Sequence, residues 1–452
     1  MSKVQNVQNN FEIDFFPKDW NIARLSDVAD KKDRYSFTGG PFGSDLKSEH
    51  YTDTGVRIIQ LQNIGDGEFL NNYAIYTSEK KADDLISCNI FPNEIIMAKM
   101  DPVARACLVP NLNNRYLMCS DGIRLNVDKE RYNNHFILYF INSRYFRNKA
   151  DLKGIGTTRK RIGLSTLREL TIVVPAKLEE QDKIAEILTT INNNIQKTSA
   201  LIEKYKNIKT GMMADLFTRG VTHDGKLRPP YEQAPELYHE TELGFIPKGW
   251  FIKSIGSLLI TQPQYGANES AEDYNSHNPR YLRITDITDD GYLMNEEIKS
   301  LSWNKTNGYI LEEDDIVIAR TGNTVGKSYI YKKDDCPMAF AGYLIKFKFN
   351  KDVCNPLYIF YYLHSYLFYN WIDKTLKVGA KPNINAQEYS SFHIYLPELS
   401  EQLEIINIIS SIDKKIETEQ KYLEKLKQLK QGLMQDLLTG KVRVKQAEPS
   451  VA

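Results

Sequence analysis

The sequence predicts a mixed α/β (α+β) protein built from two copies of one globular domain, each followed by a long helix. Three observations indicate this fold class: short motifs that recur in the same order, apolar runs bounded by turn residues, and two heptad-patterned segments of matched length. Apolar runs of this kind are typical of short strands. Because the heptad segments match in length, the two helices are expected to pack side by side.

The duplication is visible when the two halves of the chain are placed next to each other. The recurring stretches are FPKDWNIARLSDVA (16–29) with IPKGWFIKSIGSLL (246–259), VRIIQLQNI (56–64) with RYLRITDI (280–287), NEIIMAK (93–99) with DDIVIAR (314–320), and TIVVPAKLEEQ (171–181) with HIYLPELSEQ (393–402). Each half therefore starts at a Pro-x-x-Trp, runs through several strands, and ends at a strand followed by proline and a Glu-Gln pair.

An aromatic segment in each half predicts a buried helix. FILYFINS (136–143) in the first half matches YIFYYLHS (358–365) in the second. Aromatic side chains at helical spacing bury large areas and dominate protein cores. We therefore expect these rings to form core rather than to stack on bases, and we expect Trp20 and Trp250 to be structural as well.

The long helices show apolar residues at alternating steps of four and three. The first seam contains Ile184, Leu188, Ile191 and Ile195, and the second, 221 residues on, contains Ile405, Ile409, Ile412 and Ile416. Such a repeat lets two helices pack with knobs in holes. From Ile184 to Leu216 a helix would extend roughly 50 Å at about 1.5 Å per residue.

Bulk properties exclude several classes of protein. The chain has 452 residues, of which 42% are hydrophobic and 26% charged, with a formal net charge of zero. No apolar run approaches the roughly 20 residues of a membrane helix and the first residues are polar, so we expect a cytoplasmic location and no membrane partner. The five cysteines form no C-x-x-C pair, and the histidines form no metal-binding motif.

The stretch ARTGNTVGKS (319–328) resembles a phosphate-binding loop but lacks its spacing. Gly322 and Gly326 are separated by three residues instead of four, and Thr321 stands where the first glycine belongs. The matching stretch in the first half, AKMDPVARAC (98–107), has no glycine. We therefore interpret the segment as a variable loop on a repeated scaffold and not as a nucleotide site.

The order of these motifs resembles that of the specificity subunit of type I restriction-modification systems. The resemblance covers nearly the whole chain and rests on the duplicated domains, the Pro-x-x-Trp starts, GPFGSDLK (40–47), DDIVIARTG (314–322), the Glu-Gln helix starts, and the helix ends LFTRG (216–220) and LLTGK (437–441). Each motif alone is weak, whereas their repeated order is specific.

The resemblance implies a pseudo-twofold molecule with an antiparallel helix pair between two target-recognition domains. Each domain would read one half of a split double-stranded DNA target and each half would bind one adenine methyltransferase subunit. In a restricting complex, two restriction/translocase subunits would join. S-adenosylmethionine, ATP and Mg²⁺ are then expected on the partner subunits and none on this chain.

This organisation assigns every part of the sequence. The expected ranges are an N-terminal tail (1–10), the first target-recognition domain (11–178), a central helix (179–219), a linker (220–245), the second target-recognition domain (246–399), a C-terminal helix (400–440) and a flexible tail (441–452). Helices of roughly 50 Å would place two readers more than one DNA turn of about 34 Å apart, which predicts an unread spacer.

Catalysis on this chain is not expected. RPPY (228–231) resembles an amino-methyltransferase motif, but Arg228 has only donors and cannot accept a hydrogen bond from an amino group. No acid, base or metal constellation with the spacing of a catalytic site is evident.

DNA contacts are expected from basic side chains on loops, because phosphates supply affinity and base edges supply specificity. The candidates are Lys47, Arg105, Lys153, Arg159, Lys160 and Arg161 in the first domain, and Arg320, Asn323, Lys327, Lys377 and Lys381 in the second. Two other classes of protein remain open at this stage: a coiled-coil assembly scaffold that binds no DNA, and a self-contained restriction enzyme.

Overall fold

The computed structural model describes residues 16–376 and 382–444. The described chain forms two compact units. The first unit ends at Ser199 and resumes at Lys421, and the second runs from Ala200 to Gln420. Each unit therefore combines one α/β domain with a segment of both long helices. The predicted tail 1–10, residues 445–452, and the candidates Lys377 and Lys381 lie outside the described residues.

Between residue 16 and the first long helix, the described part of the first unit contains eleven strands and four short helices. The strands are β1 (Trp20–Arg24), β2 (Phe37–Gly39), β3 (Tyr51–Thr52), β4 (Val56–Ile59), β5 (Ile75–Thr77), β6 (Asn89–Ile90), β7 (Ile95–Ala98), β8 (Ala106–Leu108), β9 (Tyr116–Met118), β10 (Gly122–Leu125) and β11 (Thr171–Pro175). The helices are α1 (Glu79–Asp84), α2 (Asn134–Ile141), α3 (Arg144–Lys153), α4 (Leu164–Glu169) and the long α5 (Leu178–Leu216).

The second unit repeats much of this order after an additional strand pair, β12 and β13. Its strands are β12 (Tyr238–Thr241), β13 (Gly244–Pro247), β14 (Phe251–Ser254), β15 (Gln264–Tyr265), β16 (Glu272–Asp273), β17 (Arg280–Leu282), β18 (Lys299–Ser300), β19 (Ile316–Ala319), β20 (Ser328–Ile330), β21 (Met338–Phe340), β22 (Leu344–Phe347) and β23 (His393–Leu396). Its short helices are α6 (Pro356–Tyr362), α7 (Tyr366–Thr375) and α8 (Ala386–Ser391), and the long α9 (Leu399–Leu438) begins in this unit and ends in the first.

Three parts of the sheet topology recur in both units. A two-stranded antiparallel ribbon, β1–β11 or β14–β23, joins the start of each domain to its last strand. A four-stranded sheet has the order β2-β10-β7-β8 in the first unit and β15-β22-β19-β20 in the second. The parallel pair β4–β9 likewise corresponds to β17–β21. The sequence repeat is therefore a repeat of structure.

Burial explains why the matched stretches form these elements. Every residue of the central strands β7 and β19 is buried, as expected for continuous apolar runs at the centre of a sheet. The aromatic helix α6 buries Tyr358, Phe360, Tyr361 and Tyr362, and Trp20 and Trp250 are also buried. The prediction that these aromatic residues form core is confirmed.

The long helices pair in antiparallel fashion within each unit. In the first unit, Lys430 Nζ on α9 donates to Asn192 Oδ1 on α5 at 2.7 Å. In the second unit, Lys209 Nζ on α5 lies 2.7 Å from Asp413 Oδ1 on α9. Each lysine interrupts the apolar heptad pattern of its helix, and each has a polar partner on the opposite helix. The eight predicted seam residues are buried, except that Ile195 is half-buried.

A buried glutamine fixes the start of each long helix to its domain. In the second unit, Gln402 Oε1 accepts from Asn355 N–H at 2.8 Å, and its Nε2 donates to the Pro397 carbonyl at 2.8 Å. In the first unit, Gln181 makes the equivalent bonds to Asn133 and Pro175. A buried amide must satisfy both ends of its side chain, and here both ends bind backbone of the same domain.

The glutamate before each glutamine holds the chain as it leaves the other long helix. The Glu401 carboxylate accepts hydrogen bonds from Nη1 and Nη2 of Arg228. It also accepts one from the indole N–H of Trp250, at 3.0 Å. Glu180 accepts from Nε and Nη2 of Arg443, at 2.8 Å and 3.0 Å, but not from the indole of Trp20. Arg228 of the RPPY stretch therefore has a structural partner.

Part of the segment assigned to a linker, 220–245, is regular structure. Strand β12 lies within it and pairs with β13, and the ring of Tyr231 stacks on Phe245 with 3.9 Å between centroids. No helix among the described residues has the length and apolarity that crossing a bilayer would need.

We predict that Gln402→Ala destabilises the second unit, because it leaves the Asn355 N–H and the Pro397 carbonyl buried without partners. The expected cost is about 1–3 kcal/mol, which should lower the calorimetric unfolding midpoint by several degrees. Gln428→Ala, at an exposed position on the same helix, is the matched control. Equal midpoints for the two variants would contradict the role given to Gln402.

Candidate nucleic-acid interface

The candidate interface in each unit lies at the end of the buried central strand. Strand β7 is followed by Lys99 and strand β19 by Arg320. Lys99 Nζ donates to the Ser120 carbonyl at 2.7 Å, and Arg320 Nε donates to the Gly342 carbonyl at 3.2 Å. The two carbonyls follow equivalent strands, so the repeated sheet presents a cation at the same place in both domains.

The basic run of the first domain forms a turn beside this strand end. Ile155 and Arg161 exchange two backbone hydrogen bonds of 2.9 Å, and the Lys160 carbonyl accepts from Asp101 N–H at 3.0 Å. Lys153 and Arg159 are exposed on this turn. The turn therefore presents the predicted basic residues at the same end of the sheet as Lys99.

Two cations of the same run are paired with carboxylates. Lys160 pairs with Asp151, and Arg161 Nη2 lies 2.6 Å from Asp121 Oδ1. Both pairs are partly exposed, and exposed pairs contribute little stability. Their cations can therefore exchange a carboxylate for a phosphate at low cost, although Lys153 and Arg159 are the less constrained candidates.

Lys47 and Arg105 occupy different environments. Lys47 is exposed, and its Nζ lies 3.6 Å from Glu49 Oε1. Arg105 is half-buried, and its Nη2 donates to the Leu61 carbonyl at 2.9 Å. Arg105 thus positions the loop that follows β4, whereas Lys47 is available at the surface.

Exposed apolar side chains accompany the cations of the first domain. Phe42 is 83% exposed, and Leu152 and Ile155 are each 82% exposed. Apolar groups can contact thymine methyl groups in the major groove. Sequence reasoning missed these residues because nothing in their local pattern distinguishes them from core positions.

The N–H groups of both glycines in the loop ARTGNTVGKS already donate hydrogen bonds to other protein groups. They are therefore not free to bind a phosphate. Gly322 N–H donates to the Pro382 carbonyl at 2.9 Å, and Gly326 N–H donates to the Ala319 carbonyl at 3.0 Å and to Tyr389 Oη at 3.1 Å. A Cβ at Gly326 would collide with Ile372. The second glycine is therefore required by packing.

Lys327 faces a cavity of about 320 Å³ within the second unit. Its Nζ lies 2.7 Å from Asp289 Oδ1. Asn323 is exposed at the rim of the same cavity. A phosphate contact by Lys327 would require exchange of this carboxylate, so the contact stays a prediction.

The second domain places aromatic residues around its strand-end cation. The guanidinium carbon of Arg320 lies 5.2 Å from the ring centroid of Tyr265 and 5.9 Å from that of Tyr343. Asn383 forms a bridge with Thr321, as Arg161 does with Met100 in the first domain. Asn383 therefore occupies the position equivalent to Arg161, the last residue of the basic run in the first domain.

Comparison with protein families decides what this duplicated framework is. The family described as the type I restriction modification DNA specificity domain matches residues 17–206 and again residues 247–428. The chain belongs to this family. The two matches coincide with the two repeats of the fold, so the family domain is present twice.

Curated relatives extend along the whole chain. A putative type I restriction enzyme MjaX specificity subunit from Methanocaldococcus jannaschii is 25% identical over 450 residues, which cover 98% of each chain. The MjaVIII specificity subunit of the same organism is 27% identical and covers 74% of this chain and 76% of its own. As a type I specificity subunit, the chain is a non-catalytic component of its system.

Solved structures share the fold. The type I restriction-modification S subunit from M. genitalium superposes with a TM-score of 0.56 at 16% identity and covers 95% of this chain and 97% of its own. At this identity the likeness establishes the architecture of two α/β domains with two long helices. The predicted fold class and family are confirmed.

We expect Lys327→Ala to weaken binding to all DNA duplexes about equally and to lower the salt slope of log K by about 0.9, the contribution of one phosphate contact. Binding measured between low and moderate salt checks this. Lys348→Ala, which removes a lysine paired with Glu312 near the opposite end of β22, is the control. An unchanged slope for Lys327→Ala would leave Lys327 as a partner of Asp289 alone.

Proposed function

We propose that this specificity subunit reads a bipartite double-stranded DNA target, one half with each domain. The observation that carries the proposal is that one framework occurs twice with different groups at the same places. Lys99 corresponds to Arg320, and Arg161 corresponds to Asn383, at matched strand ends and bridges. Because base readout depends on the donors and acceptors presented, the two domains should read different half-sites.

The long helices support a spacer between the half-sites. Helix α5 has 39 residues and α9 has 40, so each extends roughly 60 Å at about 1.5 Å per residue. One turn of B-DNA spans about 34 Å. The helix pair would therefore set a separation of more than one turn, and the bases between the half-sites would not be read.

The duplicated framework also supports two equivalent docking positions for partners. We propose one adenine methyltransferase subunit on each half, with two restriction/translocase subunits in a restricting complex. These partners would hold S-adenosylmethionine, ATP and Mg²⁺. The complex would act in the cytoplasm, where the DNA is.

Mapping of N6-methyladenine at base resolution tests the proposal. The chain is co-expressed with the methyltransferase encoded beside it, and the modified bases of the host genome are located. We expect one split motif, methylated on opposite strands in its two halves and separated by unread bases. The modification should disappear when the chain is omitted.

Absence of any motif, together with a stable complex of the two proteins, would contradict the proposal and favour an assembly scaffold that binds no DNA. Methylation by the chain alone would contradict the assignment of the chemistry to a partner. A continuous motif without a spacer would contradict the role given to the helices.

A further inference from the structure

The backbone around Arg320 is held on both sides of the residue. Arg320 N–H donates to the Tyr343 carbonyl at 3.0 Å, and the Arg320 carbonyl accepts from Ile384 N–H at 2.9 Å. The residue directly follows the buried strand β19. Its Cα is therefore fixed by the sheet, unlike that of a residue at a loop tip.

Four neighbours fix the orientation of the guanidinium group. Its Nε donates to the Gly342 carbonyl, its Nη1 lies 3.4 Å from Asn383 Oδ1, and its Cζ lies 5.2 Å from the ring centroid of Tyr265 and 5.9 Å from that of Tyr343. The ring of Tyr265 is held in turn, because its Oη accepts from Ala386 N–H at 3.1 Å. Arginine stacks on aromatic faces while its donors remain directed along the edge of its plane.

The outer edge of this group is available. Within residues 16–376 and 382–444, Arg320 forms no ion pair with a carboxylate and its Nη2 donates no hydrogen bond. Tyr265 is 42% exposed and Tyr343 is 57% exposed, so the flanking rings reach the surface. A guanidinium group held at the surface beside two aromatic rings, with no neutralising carboxylate among the described residues, can donate hydrogen bonds to a polar ligand.

The equivalent residue of the first domain cannot present such a fork. Lys99 has a single ammonium group, which donates to Ser120, and burial lowers the pKa of this group. A Cβ at Gly39 would lie only 2.9 Å from Lys99 Nζ, so the backbone at Gly39 closely covers this ammonium group. At this place the first domain presents instead the pair of Arg161 with Asp121.

We propose that Arg320 reads a guanine in the half-site of the second domain. Arginine forms two parallel hydrogen bonds to O6 and N7 of guanine in the major groove, and no other base offers this pair of acceptors there. Tyr265, Tyr343 and Asn383 are positioning residues that act through the guanidinium group. This inference rests on the proposed DNA-reading function and adds the base and the residue that recognises it.

The test uses the complex of the full chain with its methyltransferase and duplexes that carry the mapped motif. Each guanine of the second half-site is replaced in turn by 7-deazaguanine, which lacks N7 but keeps O6 and its base pairing. We expect one position at which this change weakens binding by wild type, and at which Arg320→Gln and Arg320→Ala bind both duplexes equally. Replacement of that guanine by another base should cost wild type between about fivefold and about a hundredfold in affinity.

Controls separate this inference from the proposed function and from misfolding. Arg161→Gln in the first domain should retain the dependence on N7 at that guanine, and unfolding midpoints check that each variant folds. If wild type does not distinguish motif from non-motif duplexes, the proposed function itself is wrong. If wild type reads the motif and the Arg320 variants retain every dependence on N7, or lose affinity equally on all duplexes, Arg320 is not a guanine reader.

Discussion

The Glu-Gln pair at the start of each long helix is the constraint on which the rest of the structure depends. Gln181 and Gln402 are 1% and 0% exposed, and both ends of each amide bind backbone of the adjoining domain. A buried amide without partners would cost about 1–3 kcal/mol, so the helix cannot shift against its domain without losing these bonds. The preceding glutamates bind the chain that leaves the other long helix. Domain, helix start and helix end are thereby joined at one place in each unit.

A framework fixed in this way leaves the strand ends free to differ. The ribbon, the four-stranded sheet and the parallel strand pair have the same order in both units, whereas the loops that follow β7 and β19 differ in sequence beyond the cation that begins each of them. Lys99 and Arg320 each donate to a carbonyl at the matching position, and Arg320 also lies near the rings of Tyr265 and Tyr343. If the proposed residues read DNA, stability and recognition depend on different residues, and recognition can vary without loss of the fold.

The helices, the central strands and the aromatic cores could be predicted because their signals are local periodicities repeated in both halves. The surroundings of the candidate residues could not, because sheet topology determines them. Tyr265 and Tyr343 are distant in sequence from each other and from Arg320, and only the pairing of β15, β22 and β19 brings them together. Lys327 was expected to face DNA, and pairing with Asp289 is visible only in the fold. The Gly-Lys-Ser sequence at residues 326–328 likewise does not indicate that Gly326 packs against Ile372.

Exchange of most of the second domain tests most directly the claim that each domain reads its own half-site. Residues 255–392 would be replaced by the matching segment of a family member with a different known second half-site, which leaves the β14–β23 ribbon and Gln402 native. Methylated motifs would then be mapped for the parent and the exchanged chain. The account predicts that one half-site changes to that of the donor while the other half-site and the spacer length stay the same. A change in both half-sites, or in the spacer, would contradict it.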